Sequence, residues 1–325
     1  MIKVNNLCKS FNYYEKGEGL ISGIANMFKR ELKSKDVVKS ISFTIQDGEK
    51  VGLIGPNGAG KTTTMKLLTG ILYPTSGSAE VMGFTPWKRE KGFKMKTTFL
   101  MGQKSQLWVD LPAMDTLSLN RYIYEIDEAR YNSTVKELMD LLEVEHLKKI
   151  QVRRLSLGER MKFEFIAAML HLPETVFLDE PTIGLDMVAQ KSLREFLKEY
   201  NRKYNATIML TSHYLKDIED ICNRVILINN GEIMFDDSLA ALKKIIDNRK
   251  VIVFEDTGMP KSEIEKIMGR PVTILDAKVR TIVDKDEIYQ VMPIVLEKLS
   301  KNVSMEDTSL EDIVEQFYLK GATEE

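Results

Sequence analysis

Residues 50–68 read KVGLIGPNGAGKTTTMKLL, and this stretch decides the fold. Lys50 to Ile54 has the apolar, β-favouring character of a short buried strand, and Lys61 to Leu68 has helical spacing. Between them Gly55, Pro56, Asn57, Gly58, Ala59, Gly60, Lys61 and Thr62 fit the pattern GxxxxGK[ST]. A glycine-rich turn between a strand and a helix is the setting of a phosphate-binding loop. Its glycines let backbone N–H groups turn inward around phosphate oxygens, and the helix N-terminus adds partial positive charge. Lys61 then reaches the β- and γ-phosphates, Thr62 offers a hydroxyl to Mg²⁺, and Thr63 completes the nucleotide-binding run. ATP or GTP is the implied ligand.

Working outward, Val176-Phe177-Leu178-Asp179-Glu180 is an apolar strand ending in two carboxylates. Such a strand beside the loop would bring Asp179 to the Mg²⁺ held by Thr62 and Glu180 to the γ-phosphate. A water attacking phosphorus must be oriented and must lose a proton, so Glu180 is the expected general base. Further strands are expected at Ile2 to Val4, Ile41 to Ile45, Thr207 to Leu210, Val225 to Ile228 and Glu232 to Phe235, the last after an Asn230-Gly231 hairpin turn. Strands alternating with helices predict a parallel sheet with covering helices, and the helical spacing from about 113 to 172 predicts an insertion of helices. After roughly residue 247 the pattern restarts as a small α+β unit.

Between the two motifs, Leu155-Ser156-Leu157-Gly158-Glu159-Arg160 precedes the helical MKFEFIAAML. Read locally it is a capping box, a serine three residues before a glutamate. With the phosphate loop before it and DEPT after it, the order resembles that of the ABC ATPases, whose signature LSGGQ lies in a helical subdomain. The resemblance covers residues 1 to about 240. Gln103 matches the Q-loop glutamine, Gly184-Leu185-Asp186 the D-loop, His213 the switch histidine, and Phe11 the aromatic that stacks on adenine. It implies an α/β P-loop NTPase core of ABC ATPase type (residues 1–246) with an antiparallel β subdomain and an inserted helical subdomain, followed by the small domain at 247–325.

What the resemblance further implies is a head-to-tail pair of ATPase subunits, identical or closely related, closing on two ATP–Mg²⁺. Ser156 and Gly158 would act on the partner's nucleotide, and Asp186 of the D-loop is likewise expected to be nucleotide-binding. Gln103 would touch Mg²⁺ or the attacking water, and His213 would hold the γ-phosphate. Glu180, His213 and Gln103 are thus the expected catalytic residues, and Thr62, Gln103 and Asp179 the expected Mg²⁺ ligands. Hydrolysis would drive separate permease subunits. Two departures stand out: Leu157 and Glu159 replace the usual Gly and Gln of the signature, and the adenine aromatic is Phe, not Tyr. The wording GILYPTSGSAEVMGFTPW, GQKSQLW, DEPTIGLD and SHYLKDIE is similar to ATPases of ABC-2-type exporters.

Composition agrees. The 325 residues are 43% apolar and 29% charged, with net charge −2 and pI near 6.1. That balance gives no broad basic field for nucleic acid, and no run approaches the apolar length of a membrane span. Cys8 and Cys222 have no metal or disulfide spacing, as for free thiols in a reducing compartment. The expected location is the cytoplasmic face of the membrane, as a peripheral subunit. The alternative is a soluble ABC ATPase acting on ribosomes or nucleic acid, but one phosphate loop and no sustained heptads count against it. From about 15 to 36, Leu20, Ile21, Ile24, Met27, Phe28 and Leu32 share one helical face, with basic residues following, so a basic amphipathic helix is expected there.

Overall fold

In the computed structural model, which describes residues 1–14, 32–212 and 214–322, the chain divides into two units, Met1–Asp236 and Asp237–Glu325. In the first, the glycine-rich loop leaves strand β3 (Lys50–Ile54) inside a six-stranded sheet. The others are β5 (Thr97–Met101), β6 (Thr175–Asp179), β7 (Thr207–Thr211), β8 (Arg224–Asn229) and β9 (Glu232–Ser238). Their order is β5-β6-β7-β3-β8-β9, and the pairs from β5 to β8 run parallel. Neighbours distant in sequence therefore end side by side. The carboxyl ends of β6 and β7 lie beside that of β3, which is where a parallel sheet places ligands.

The central strands are buried on both faces: Val176, Phe177, Leu178, Ile208, Met209 and Leu210 have no exposed surface. Each such side chain contributes roughly 1.5–3 kcal/mol by leaving water. β8 returns into β9 through Asn230 and Gly231, both at positive φ (46° and 84°), the conformation a two-residue hairpin turn requires.

A second sheet of β1 (Ile2–Tyr14), β2 (Leu32–Ile45) and β4 (Ser76–Val81) is antiparallel, in the order β2-β1-β4. It packs Ile2, Val4, Leu7, Phe43 and Ile45 against Met65 and Leu68 of α1 (Lys61–Leu68). Residues 15–31, most of the expected amphipathic helix, lie outside the described residues, as does His213. Leu32 to Asp36 are strand, not helix: Leu32 pairs with Tyr14 and Lys35 with Phe11. A continuous ladder to β1 outweighs the side-chain periodicity on which the helix was expected.

α2 (Lys91–Lys96) leads directly into β5, and between β5 and β6 come α3 (Ala113–Ile123), α4 (Glu128–Leu142) and α5 (Leu157–Met169), with no strand among them. α6 (Met187–Tyr204) and α7 (Leu215–Ile221) follow β6 and β7. The second unit opens with α8 (Leu239–Asp247), which precedes the boundary expected at 247 and packs within that unit against its last helix, α11 (Leu310–Ala322). Its sheet contains β10 (Arg249–Glu255), β11 (Thr273–Leu275), β12 (Lys278–Asp284) and β13 (Val303–Asp307), in the order β11-β12-β10-β13. The helices α9 (Lys261–Met268) and α10 (Ile288–Lys298) complete it.

Candidate functional site

Gly60 caps α1 at φ 105°, and a Cβ there would stand 2.6 Å from the Val37 carbonyl oxygen. Only glycine makes this turn without moving β2. The loop then doubles back: the Ala59 N–H donates to the Pro56 carbonyl at 3.2 Å, and Lys61 donates Nζ–H to the carbonyls of Gly55 at 2.6 Å and Pro56 at 3.1 Å. Burial pushes the Lys61 ammonium below its ordinary pKa, while Glu180 and Asp179 pull it back up. Asn57 and Gly58 are exposed at the loop tip, and Thr62 and Thr63 are half-buried.

Asp179 joins three elements. Its carboxylate accepts the Thr62 hydroxyl at 2.8 Å through Oδ2 and the Thr211 hydroxyl at 2.7 Å through Oδ1. The end of β6 is thereby tied to α1 and to β7, as the parallel pairing of Asp179 with Thr211 requires. The next residue, Glu180, has φ +53°, a left-handed conformation unusual for a side chain of this size. Its N–H is held by both the carbonyl (3.1 Å) and the hydroxyl (3.0 Å) of Thr211. Such backbone strain concentrates at functional sites.

Gln103 is exposed on the turn after β5. The preceding Gly102 donates its N–H to the Asp179 carbonyl at 2.9 Å, so the Q-loop leaves the sheet beside both carboxylates. Further along, the buried carboxylate of Glu164 on α5 accepts the Ser105 hydroxyl and the Gln106 N–H at 3.0 Å. This carboxylate fastens the Q-loop to the signature helix.

Ser156, exposed, starts α5 as a full capping box: its hydroxyl accepts the Glu159 N–H at 3.2 Å, and the Glu159 carboxylate accepts the Ser156 N–H at 2.8 Å. Those hydrogen bonds hold Glu159 below the usual carboxylate range. Gly158 faces α6, where an added Cβ would stand 2.9 Å from the Ala189 Cβ, and a Cβ on Gly184 would meet Leu157 at 3.3 Å. The signature and the D-loop are therefore neighbours within one chain. Asp186 caps α6 by accepting the Ala189 N–H at 2.8 Å. Phe11 is 38% exposed on β1, with the Lys9 ammonium 5.0 Å from its ring centre.

The family model described as "ABC transporter" matches residues 38–183. The bacitracin transport ATP-binding protein BcrA of Bacillus licheniformis is 30% identical over 231 residues, which cover 71% of this chain and 74% of that protein. The chain belongs to the ABC transporter ATP-binding proteins. The ABC transporter ATP-binding protein NatA of Bacillus subtilis is 29% identical over 222 residues, 68% of this chain and 90% of that protein. A solved structure of an ATP-binding subunit of an ABC transporter superposes with a TM-score of 0.62 at 24% identity, covering 76% of this chain and 93% of the other. This likeness shows the same ABC ATPase fold, and the expected fold class holds.

As a member of this family the ABC ATPase binds and hydrolyses ATP, and among its described residues no helix is long and apolar enough to cross a membrane. In its own fold the P-loop, Asp179, Glu180 and the Q-loop turn converge at one edge of the sheet. Ser156 is bonded instead to Glu159, as the cap of α5. Gly102, Glu164 and Thr211 hold this site together without belonging to the expected residues. Glu164 had a signal, a lone carboxylate inside the apolar run of MKFEFIAAML.

Proposed function

We propose that this chain is the ATPase subunit of an ABC exporter, forming a head-to-tail dimer around two ATP–Mg²⁺ and driving separate permease subunits from the cytoplasmic face of the membrane. The observation that carries the reading is the Asp179 carboxylate, bonded to Thr62 of the P-loop helix and to Thr211, with Glu180 next in the chain. The export direction rests on the relatives, among them the bacitracin transport ATP-binding protein and a linearmycin resistance ATP-binding protein of Bacillus subtilis.

The oxygen donors suit Mg²⁺, a hard cation that takes hydroxyl and carboxylate ligands. Thr62 and Asp179 would hold it, with the Gln103 amide as a third donor, and it would neutralise phosphate charge. The P-loop N–H groups and Lys61 bind the β- and γ-phosphates, Lys61 leaving the Gly55 and Pro56 carbonyls to do so. Phe11 stacks on adenine, for which an exposed ring without a hydroxyl suffices. Glu180 accepts a proton from the attacking water as it forms its bond to the γ-phosphorus and the β–γ bridging bond breaks. His213 positions that water and the γ-phosphate. Ser156 and Gly158 contact the partner subunit's nucleotide, and Asp186 lies at the same boundary. Gln103 relays the state of the site to the permease, and the second unit contributes to dimerisation or regulation.

The test is Glu180→Gln. With ATP and Mg²⁺ the variant should form a stable dimer by gel filtration while turnover falls at least about 10²-fold. Undiminished turnover in a demonstrably dimeric variant would remove Glu180 as the base. A tagged Glu180→Gln pull-down from solubilised membranes should recover a multi-span protein, and ribosomal or nucleic-acid partners in its place would sink the transport reading.

A further inference from the structure

The second unit contains a cavity that ATP chemistry does not use. Its elements run β10–α9–β11–β12–α10–β13, the split βαβ plan in which both helices cover one face of the sheet. That face carries Ile252, Phe254, Val279 and Val283, packed on Ile264 and Val291 of the helices. By strand alternation the opposite face carries Arg249, Val251, Arg280, Ile282 and Asp284, in register across β10 and β12. On that second face lies a cavity of about 350 Å³, completed by Arg270 and by Asp312 and Gln316 of α11.

Every arginine of the unit lines this cavity, and no lysine does. Guanidinium differs from ammonium in offering a rigid planar fork that matches an oxyanion with two parallel hydrogen bonds. Arg270 is steadied by Glu287 at 3.1 Å and Arg280 by Asp312 at 3.2 Å, while Arg249 is held by Asp284 at 2.9 Å and also donates to the Gln316 side-chain oxygen. These pairs engage only part of each guanidinium. Arg270 Nε is buried with no partner among the described residues, an arrangement that carries a desolvation cost unless something else binds there. Beside it the wall is apolar, formed by Pro271, Leu275, Val251 and Ile282.

We propose that this cavity binds a small organic oxyanion, a carboxylate or a phosphate monoester on an apolar body. Its head group sits on the Arg270 fork and its body against Val251, Leu275 and Ile282. The three carboxylates balance the three arginines, so the site has no excess positive charge to draw in bare inorganic anions, and the apolar wall supplies the selectivity.

The experiment titrates the full-length protein, its P-loop saturated with ADP and Mg²⁺, with benzoate, phenyl phosphate and inorganic phosphate by calorimetry. One organic probe should bind saturably at one site per chain, and which one does so identifies the head group. Inorganic phosphate should bind about tenfold more weakly or worse, and Arg270→Met should weaken the organic probe by about tenfold or more. Arg270→Lys, which keeps the charge beside Glu287 but not the fork, should weaken it similarly. Because Arg270 leaves a buried donor unpaired, Arg270→Met should keep or raise the Tm of the unliganded protein. No saturable binding of either organic probe overturns the proposal. So does equal affinity for inorganic phosphate, or wild-type affinity in both variants. A lowered Tm in Arg270→Met without probe binding to the wild type would make Arg270 solely an ion-pair partner of Glu287.

Discussion

Arg194 reaches the fully buried carboxylate of Asp217 at 2.9 Å, and the same carboxylate accepts the hydroxyls of Thr182 and Ser212. Arg194 belongs to the helix after the D-loop, Thr182 to the loop after Glu180, and Ser212 immediately precedes His213. One buried charge therefore fixes three segments that carry expected site residues. Asp217→Ala would leave Arg194 with only its outer partner Asp220, at 3.1 Å, and the Thr182 and Ser212 hydroxyls without their acceptor, and should cost about 3 kcal/mol, read from the midpoint of urea unfolding. Asp217→Asn keeps an acceptor but drops the charge. It should stay folded and bind ATP normally, yet turn over on the order of tenfold more slowly as the segments lose register. Wild-type turnover in that variant would show that the network only holds the fold.

Gly102 and Glu180 form a second constraint. A Cβ on Gly102 would stand 2.1 Å from the Glu180 carbonyl oxygen, and no rotamer can relieve a clash with backbone. Gly102→Ala should push the Q-loop turn away from the carboxylates. Because a displacement of about 1 Å can cost on the order of 10²-fold in rate, turnover should fall steeply while ATP affinity, set mainly by the P-loop, changes little. Filter-binding of ATP alongside phosphate release separates the two. Unchanged turnover would show that β5 can yield without disturbing the site.

His171 supplies a pH signature. Its ring stacks on Tyr124 with centres 3.9 Å apart, and Nε2 lies 3.2 Å from the Thr97 carbonyl oxygen, so Nε2 carries the proton and donates it. Burial pushes the imidazole down to about 4, with Arg130 acting in the same direction and Lys96, Glu125, Asp127 and Glu174 lining the same cavity. The folded group stays neutral while the unfolded one protonates below its ordinary 6.5. Stability from this site is therefore complete above about pH 6.5 and declines as pH falls towards 4, by about 3 kcal/mol across the window. His171→Phe keeps the stack and removes the titration. Unfolding of the variant should show a shallower pH slope between 6.5 and 4, and an unaltered slope would assign the acid sensitivity to other groups.

The P-loop and the strand ending in Asp179 were legible because each is a contiguous run whose residue types meet a local demand: glycines for a tight turn, apolar residues for a buried parallel strand. β4, β5 and β13 were not read. Ser76–Val81 and Val303–Asp307 are short and largely polar, and Thr97–Met101 follows directly on the helix Lys91–Lys96 without a turn signal. Asp217 and Thr211 escaped for a different reason. Their roles depend on which strands become neighbours, and the crossover that sets β6 beside β7 is not a local property. Leu32 to Asp36 misled because helical periodicity was read where a long two-stranded ladder supplies the backbone partners.

Ser156 is where the bland and functional readings predict different outcomes. As a helix cap it accepts the Glu159 N–H, and capping alone requires only a short side-chain oxygen, which aspartate supplies equally well. Ser156→Ala should cost about 1 kcal/mol of stability whichever reading holds, so it discriminates nothing by itself. Ser156→Asp keeps the cap and places a negative charge near the helix N-terminus, where the macrodipole favours it. If the serine only caps, this variant should match or exceed the wild type in both Tm and turnover. If it also contacts the partner's nucleotide, the new carboxylate meets phosphate oxygens across the dimer. ATP-dependent dimerisation and turnover should then collapse while Tm is kept. Thermal unfolding, gel filtration of Glu180→Gln/Ser156→Asp with ATP, and phosphate release on Ser156→Asp give the three readings, and the proposed function requires the second pattern.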